Sequence, residues 1–180
     1  AIVIVKFVIY PGLGLILNTN FPVVAVVSCS MEHGFTNCAD SGRIPDLCGL
    51  DVKRELNEFD NYWSLCGRWY ESINITKSNF MSFPFENGFN KGDIMVLYGT
   101  NFEDIKTGDV IVFDSGLQGA PIIHRIVELK EDGVATKGDH NSNQNAFEKN
   151  IKKDRILGKA VFRIPYLGWV KVVFNDLISG

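Results

Sequence analysis

Lys91-Gly92-Asp93-Ile94-Met95-Val96-Leu97-Tyr98 and Thr107-Gly108-Asp109-Val110-Ile111-Val112-Phe113 are two copies of one pattern, a Gly-Asp turn followed by an apolar run. Glycine tolerates the backbone angles of a tight turn and aspartate bonds the turn with its own side chain, so each copy reads as a turn launching a strand. Working outward, Pro121 to Leu129 is a third strand, and Glu131-Asp132-Gly133 turns it into Val134-Ala135-Thr136. Ile156 to Pro165 makes a further strand before Tyr166-Leu167-Gly168. Upstream, Val23 to Ser28 is continuous and β-branched, which predicts a strand buried on both faces. Short strands at this spacing predict a mainly β domain.

The segment from 34 to 90 breaks the pattern. It is rich in Asn, Asp, Glu, Trp and Cys, and it suggests short helices over Val52 to Phe59 and Asn61 to Tyr70, the second carrying Trp63, Trp69 and Tyr70. It reads as a cap-like insertion into the β core, its aromatic rings forming a small core of their own or resting at a lipid interface. At the other end, residues 1–17 (AIVIVKFVIYPGLGLIL) hold a single charge, Lys6, and would reach about 26 Å as a helix. Asn18-Thr19-Asn20 follows, not a small-residue cleavage site, so the run reads as a retained anchor. Pro11, Gly12 and Gly14 are better tolerated in a membrane helix than in a buried core helix. The expected organisation is an N-terminal transmembrane anchor over 1–19 and a β catalytic domain over 20–180, with 34–90 inserted.

The chain has 180 residues and a net charge of −3, with no basic stripe and no zinc or helix-turn-helix spacing, which argues against a nucleic-acid partner. Four cysteines at 29, 38, 48 and 66 form no Cys-x-x-Cys pair and have no histidine spacing to complete a metal site, so no metal or other cofactor is expected. In an outward-facing domain, one disulfide among Cys38, Cys48 and Cys66 is expected, the pair being open. Asn74-Ile75-Thr76 is a glycosylation acceptor pattern.

Chemistry-bearing residues gather in three boxes. Ser28-Cys29-Ser30-Met31-Glu32-His33 follows the first strand, Ile123-His124-Arg125-Ile126 lies in the third, and Lys137-Gly138-Asp139-His140-Asn141 follows the fourth. A serine hydroxyl is a weak nucleophile until a base takes its proton, and an imidazole with an ordinary pKa near 6.5 can do so at neutral pH without deep burial. A carboxylate on the far ring nitrogen would fix the tautomer and stabilise the imidazolium. Taken singly, Ser30 is an ordinary strand-end serine, His124 a core histidine and Asp139 a turn residue. Their joint order, next to an anchor, is what points to a serine hydrolase.

These boxes, with Gly108-Asp109-Val110-Ile111-Val112-Phe113 and Gly158-Lys159-x-Val161 leading to Ile164-Pro165-Tyr166-Leu167-Gly168, resemble type I signal peptidase of the archaeal and endoplasmic-reticulum branch. The resemblance runs from the anchor to about Gly168, outside the insertion. It implies a membrane-bound serine endopeptidase with signal-peptide-bearing precursor proteins and the lipid bilayer as partners, further complex subunits unknown. Its catalytic domain would lie on the extracytoplasmic side of the cell membrane. Ser30 matches the nucleophile and contributes its backbone N–H to an oxyanion hole that Ser28 assists, Met31 following in the same substrate-binding box. His124 stands where bacterial members have lysine, which implies the Ser-His branch, with Asp139 as the orienting acid.

The chain departs from the family in three places. Cys29 and His33 stand where many relatives carry Gly and Pro, a difference expected to change loop stiffness; His33 and His140, with polar flanks, are expected to be solvated. Many relatives have a second acid six residues after the first, and here that position is Asn145. Either Asp139 alone orients His124, or Glu148 or Asp114 takes part. The missing acid also sustains one alternative, a catalytically inactive, membrane-anchored substrate-binding subunit of a processing complex; a second alternative, a related self-cleaving protein of the same protease fold, is disfavoured by the histidine, the anchor and the absence of a DNA-binding region.

Overall fold

The two Gly-Asp repeats are built alike in the computed structural model, which describes residues 7, 9–34, 46–52, 58–116 and 121–167. Gly92 and Gly108 both take positive φ, 91° and 96°, which a side chain would resist. One residue on, the carboxylate closes the turn: Asp93 Oδ2 accepts Asn90 N–H at 2.8 Å and Asp109 Oδ2 accepts Lys106 N–H at 2.9 Å. The strands launched are β4 (Ile94–Tyr98) and β5 (Val110–Phe113). They flank the long strand β9 (Ile156–Ile164), which pays each aspartate a cation, Arg163 to Asp93 at 2.7 Å and Lys159 to Asp109 at 3.3 Å.

Around this centre lie β1 (Val23–Ala25), β6 (Ile122–Lys130), β7 (Gly133–Lys137) and β8 (Ile151–Lys152), giving one antiparallel seven-stranded sheet in the order β1-β4-β9-β5-β6-β7-β8. Register shifts in β4·β9, β5·β9 and β6·β7 add the local bends that let the sheet curl. Strand β5 is buried on both faces. Val110 and Val112 join Val26, Met31, Met95 and Leu97 in one cluster, while Ile111 and Phe113 join Ile105, Ile126 and Val134 in another, as alternation along a strand requires.

The inserted segment contributes the hairpin β2 (Asp46–Leu47) and β3 (Leu50–Asp51) and the helices α2 (Phe59–Glu71) and α3 (Lys77–Met81), numbered after the N-terminal α1 (Tyr10–Ile16). Helix α3, which the sequence reading does not anticipate, starts at Thr76, whose hydroxyl accepts Asn79 N–H. Tyr62, Trp63, Cys66 and Tyr70 of α2 pack with Ile75 and Phe80, and the cluster closes over Val127 and Ala135 of the sheet. The aromatic residues are thus the insertion's own core, docked on β6 and β7. Cys48 is disulfide-bonded to Cys66, tying the hairpin to α2.

One expectation is corrected, and two others fall partly outside the described residues. The strand expected over Val23 to Ser28 is only Val23–Ala25, and it is half-buried rather than buried on both faces because, among the described residues, it lies at the sheet edge and pairs with β4 alone. The helix expected from Val52 falls largely on 53–57, outside the described residues, and α2 begins at Phe59. No helix among the described residues is long and apolar enough to cross a membrane. Helix α1 has seven residues and the chain reverses at Asn18, φ 51°, where Thr19 N–H bonds Gly14 O. The rest of the expected anchor, 1–6 and 8, lies outside the described residues.

Candidate active site

After β1 the chain leaves the sheet edge through Val26, whose N–H bonds Asp93 O, and turns so that Glu32 N–H meets Cys29 O. Val26 and Met31 are buried on either side of this turn. Between them the turn presents Ser28 and Ser30, hydroxyl to hydroxyl at 3.2 Å. Strand β6 brings up His124, paired with Ile111 in register and packed beside Phe113. Its Nε2 accepts the Ser30 hydroxyl at 2.9 Å, across 94 residues of sequence.

The other ring nitrogen, Nδ1, meets Glu148 Oε1 at 2.5 Å. Glu148 ends a short 3₁₀ turn, Ala146–Glu148, and is fully buried. Its second oxygen accepts both the backbone N–H and the side-chain amide of Asn145, each at 2.8 Å, and Thr136 Oγ1 donates to the first at 3.2 Å. Burial pushes this carboxyl up, but the hydrogen bonds from His124 and Asn145 outweigh it and hold the group below the usual glutamate value. Asn145 therefore does not replace an acid; it presents one, three residues later.

Asp139 does not reach His124. Its carboxylate takes Arg125 on both oxygens, 3.0 Å from Nε to Oδ1 and 2.8 Å from Nη2 to Oδ2, with Tyr70 O–H at 3.0 Å and His33 Nε2 at 2.9 Å. Burial would raise its pKa, yet the Arg125 guanidinium and His33 hold it far below the usual carboxylate range. Arg125 spends its remaining donors on the carbonyls of Pro84, Phe85 and Gly108. The expected orienting acid is thus a buried ionic hub, and the alternative Glu148 is the carboxylate on the imidazole. Asp114 is exposed, and its carboxylate accepts Gly116 N–H. The Met31 side chain, from the expected substrate-binding box, is 1% exposed, and its sulfur accepts Asp139 N–H. His33 is likewise buried rather than solvated, and His140 is half-buried, its Nδ1 donating to Glu32 O.

The Asp139 hub is tied to the turn that carries Ser30. His140 N–H bonds Ser30 O at 2.9 Å and Cys48 N–H bonds His140 O, so the disulfide-linked hairpin supports the loop that holds Ser30. Gly138 lies in the crook of the site. A Cβ there would sit 2.8 Å from His124 Nε2, 2.7 Å from Ser30 O and 2.6 Å from Asn141 Nδ2, so only glycine leaves the serine–histidine contact its room.

No family model matches the chain. Sequence relatives do: signal peptidase complex catalytic subunit SEC11C of Homo sapiens and of Canis lupus familiaris, each 28% identical over 106 residues, and SEC11 of Colletotrichum graminicola, 29% identical over 107 residues. The homologues are signal peptidase catalytic subunits. The match covers 53% of this chain and 55% of each SEC11C, or 62% of the fungal SEC11, so the chain spans little more than half the length of these relatives.

Proposed function

We propose that the chain is a membrane-bound serine endopeptidase that removes N-terminal signal peptides from exported precursors, with Ser30, His124 and Glu148 as its catalytic relay. The observation that carries this is the unbroken chain of contacts from Ser30 Oγ through both nitrogens of His124 to a buried, ionised Glu148. In the forward step His124 Nε2 takes the Ser30 proton as Oγ bonds the scissile carbonyl carbon. The same proton then passes to the leaving amine, an acyl-serine ester forms, and water activated by His124 hydrolyses it. Glu148 keeps the Nδ1–H tautomer and balances the imidazolium. Ser30 N–H and the Ser28 hydroxyl are assigned to the developing oxyanion.

Among the described residues strand β1 pairs with β4 alone, and its other edge is assigned to an extended substrate. Small residues at the first and third positions before the cut fit the alternate-side-chain geometry of such pairing, and bulky residues there are expected to block cleavage. The apolar residues 1–17, with Leu15 and Ile16 more than three-quarters exposed, fit an anchor in the bilayer, with the domain on the extracytoplasmic side. The relatives' names describe a complex, and further subunits are proposed on that basis. The test is cleavage of a model pre-protein in detergent by the native chain and by Ser30→Ala and His124→Ala. Each single change should abolish nearly all cleavage and the pair should cost little more, because the two groups act as one unit. Activity surviving in either single variant would sink the assignment.

A further inference from the structure

His33 lies three residues after the nucleophile and touches neither Ser30 nor His124 among the contacts described, yet it is built into the site with unusual care. Its ring lies flat on Tyr62, centroids 3.6 Å apart and planes 3° from parallel, with Phe80 beyond. The backbone of Gly88, at φ 66°, also lies against the ring: a Cβ there would meet Met31 O at 2.3 Å and His33 Cδ2 at 2.7 Å. His33 Nε2 bonds Asp139 Oδ2 at 2.9 Å, and Nδ1 has no partner among the described residues, which fixes the neutral tautomer with its proton on Nε2. Burial also lowers the imidazole's pKa, keeping it neutral despite the aspartate.

The turn that carries Ser30 is thereby held to Asp139 and His140 at four places. Ser30 O accepts His140 N–H, Met31 Sδ accepts Asp139 N–H, Glu32 O accepts His140 Nδ1–H, and His33 donates to Asp139. The first three contacts run to the backbone of Asp139 and to His140, and Phe89 N–H to Met31 O and Lys91 N–H to Glu32 Oε1 fasten the same turn to the segment before β4. The fourth alone ties the turn to the Asp139 carboxylate, through a ring stacked on Tyr62. We propose that His33 is a positioning residue whose Nε2–H···Asp139 bond sets the angle at which the turn presents the Ser30 hydroxyl to His124, so that losing this donor slows turnover while leaving substrate binding intact. This inference rests on the peptidase reading of Ser30 and His124.

Two substitutions separate the bond from the packing. His33→Phe keeps a flat ring on Tyr62 and loses the donor; His33→Gln loses the ring and keeps an N–H at about the place of Nε2. The full chain in detergent is assayed on a model pre-protein for kcat, KM and melting temperature, with Ser30→Ala alongside. The expected result is a kcat about 10- to 100-fold lower in His33→Phe with KM nearly unchanged, as a misplacement of around 1 Å at the reacting atoms would give, and recovery of most of that loss in His33→Gln. Native kcat in His33→Phe overturns the proposal. So does a His33→Gln variant that melts like the native chain but is slow, an arm that decides the matter even if His33→Phe does not fold. Cleavage persisting in Ser30→Ala overturns the peptidase reading and this proposal with it, whereas an inactive Ser30→Ala beside a fully active His33→Phe leaves the reading standing and removes His33 alone.

Discussion

Glu148 and Asn145 act as a unit, and each has a different predicted sensitivity. Glu148→Gln keeps the shape but replaces the oxygen facing His124 Nδ1 or leaves it uncharged, and turnover should fall by up to about four orders of magnitude, read as kcat on a pre-protein. Asp114→Asn, on an exposed turn, should be silent in the same assay. Asn145→Asp is the more telling change: it sets a second carboxylate against Glu148 Oε2, where the native amide donates at 2.8 Å, so activity should drop rather than rise. Gly138→Ala should also be nearly inactive without altering any charge, because its methyl intrudes between His124 and Ser30 O. The serine and the histidine were legible in the sequence from box order. The acid was legible only in part: Asn145-Ala146-Phe147-Glu148 has the spacing of a capping box, with an amide at its head and a glutamate three residues on, which marks where a carboxylate is held. What hid Asp139's role was Arg125, a fully buried guanidinium that no linear pattern pairs with an acid fourteen residues away.

At the scale of elements, the sheet was readable because its signals are local. Each Gly-Asp turn carries its own glycine angle and its own carboxylate clasp, and β6, β7 and β9 fall within a residue or two of where alternation put them. Strand β1 was read too long because an apolar run looks alike whether the sheet or the core buries it; Val26 leaves the ladder and enters the core by another route. The insertion was least legible, since its cohesion comes from contacts between distant rings and from Cys48–Cys66. That bridge, closing a separation of 18 residues, should contribute about 3 kcal/mol by restricting the unfolded chain. Cys66→Ser should therefore lower the melting temperature. It should also slow cleavage, because Cys48 N–H holds the carbonyl of His140, whose own N–H holds Ser30. Unchanged melting on replacing Cys66 would show that the aromatic cluster alone holds α2 in place.

For the whole molecule, the decisive interaction is the buried Asp139–Arg125 pair, because it joins the insertion through Tyr70, the nucleophile turn through His33, and the sheet through Gly108 O and β6. Removing one partner of a buried pair strands the other charge, which typically costs about 3–5 kcal/mol, a large part of a domain's stability. Asp139→Asn is thus expected to fail as a stable fold before it fails as a catalyst, leaving Arg125 without its counter-ion. The sign of the pH dependence follows from the shift. Asp139 is held far below its unfolded value, so its contribution is fully present above about pH 4, the ordinary carboxylate range, and is lost as pH falls toward the folded pKa. Glu148, also lowered, acts in the same sense, whereas Glu32, raised by burial, opposes it. The difference between native and variant isolates Asp139: their gap in melting temperature should be widest at neutral pH and narrow on acidification below pH 4, as the native chain loses what the variant never had. Melts of both proteins across pH 7 to 3 measure it directly. A variant that melts with the native chain at pH 7, or a gap that stays constant down to pH 3, would mean that the hub's charge does not hold these three parts together.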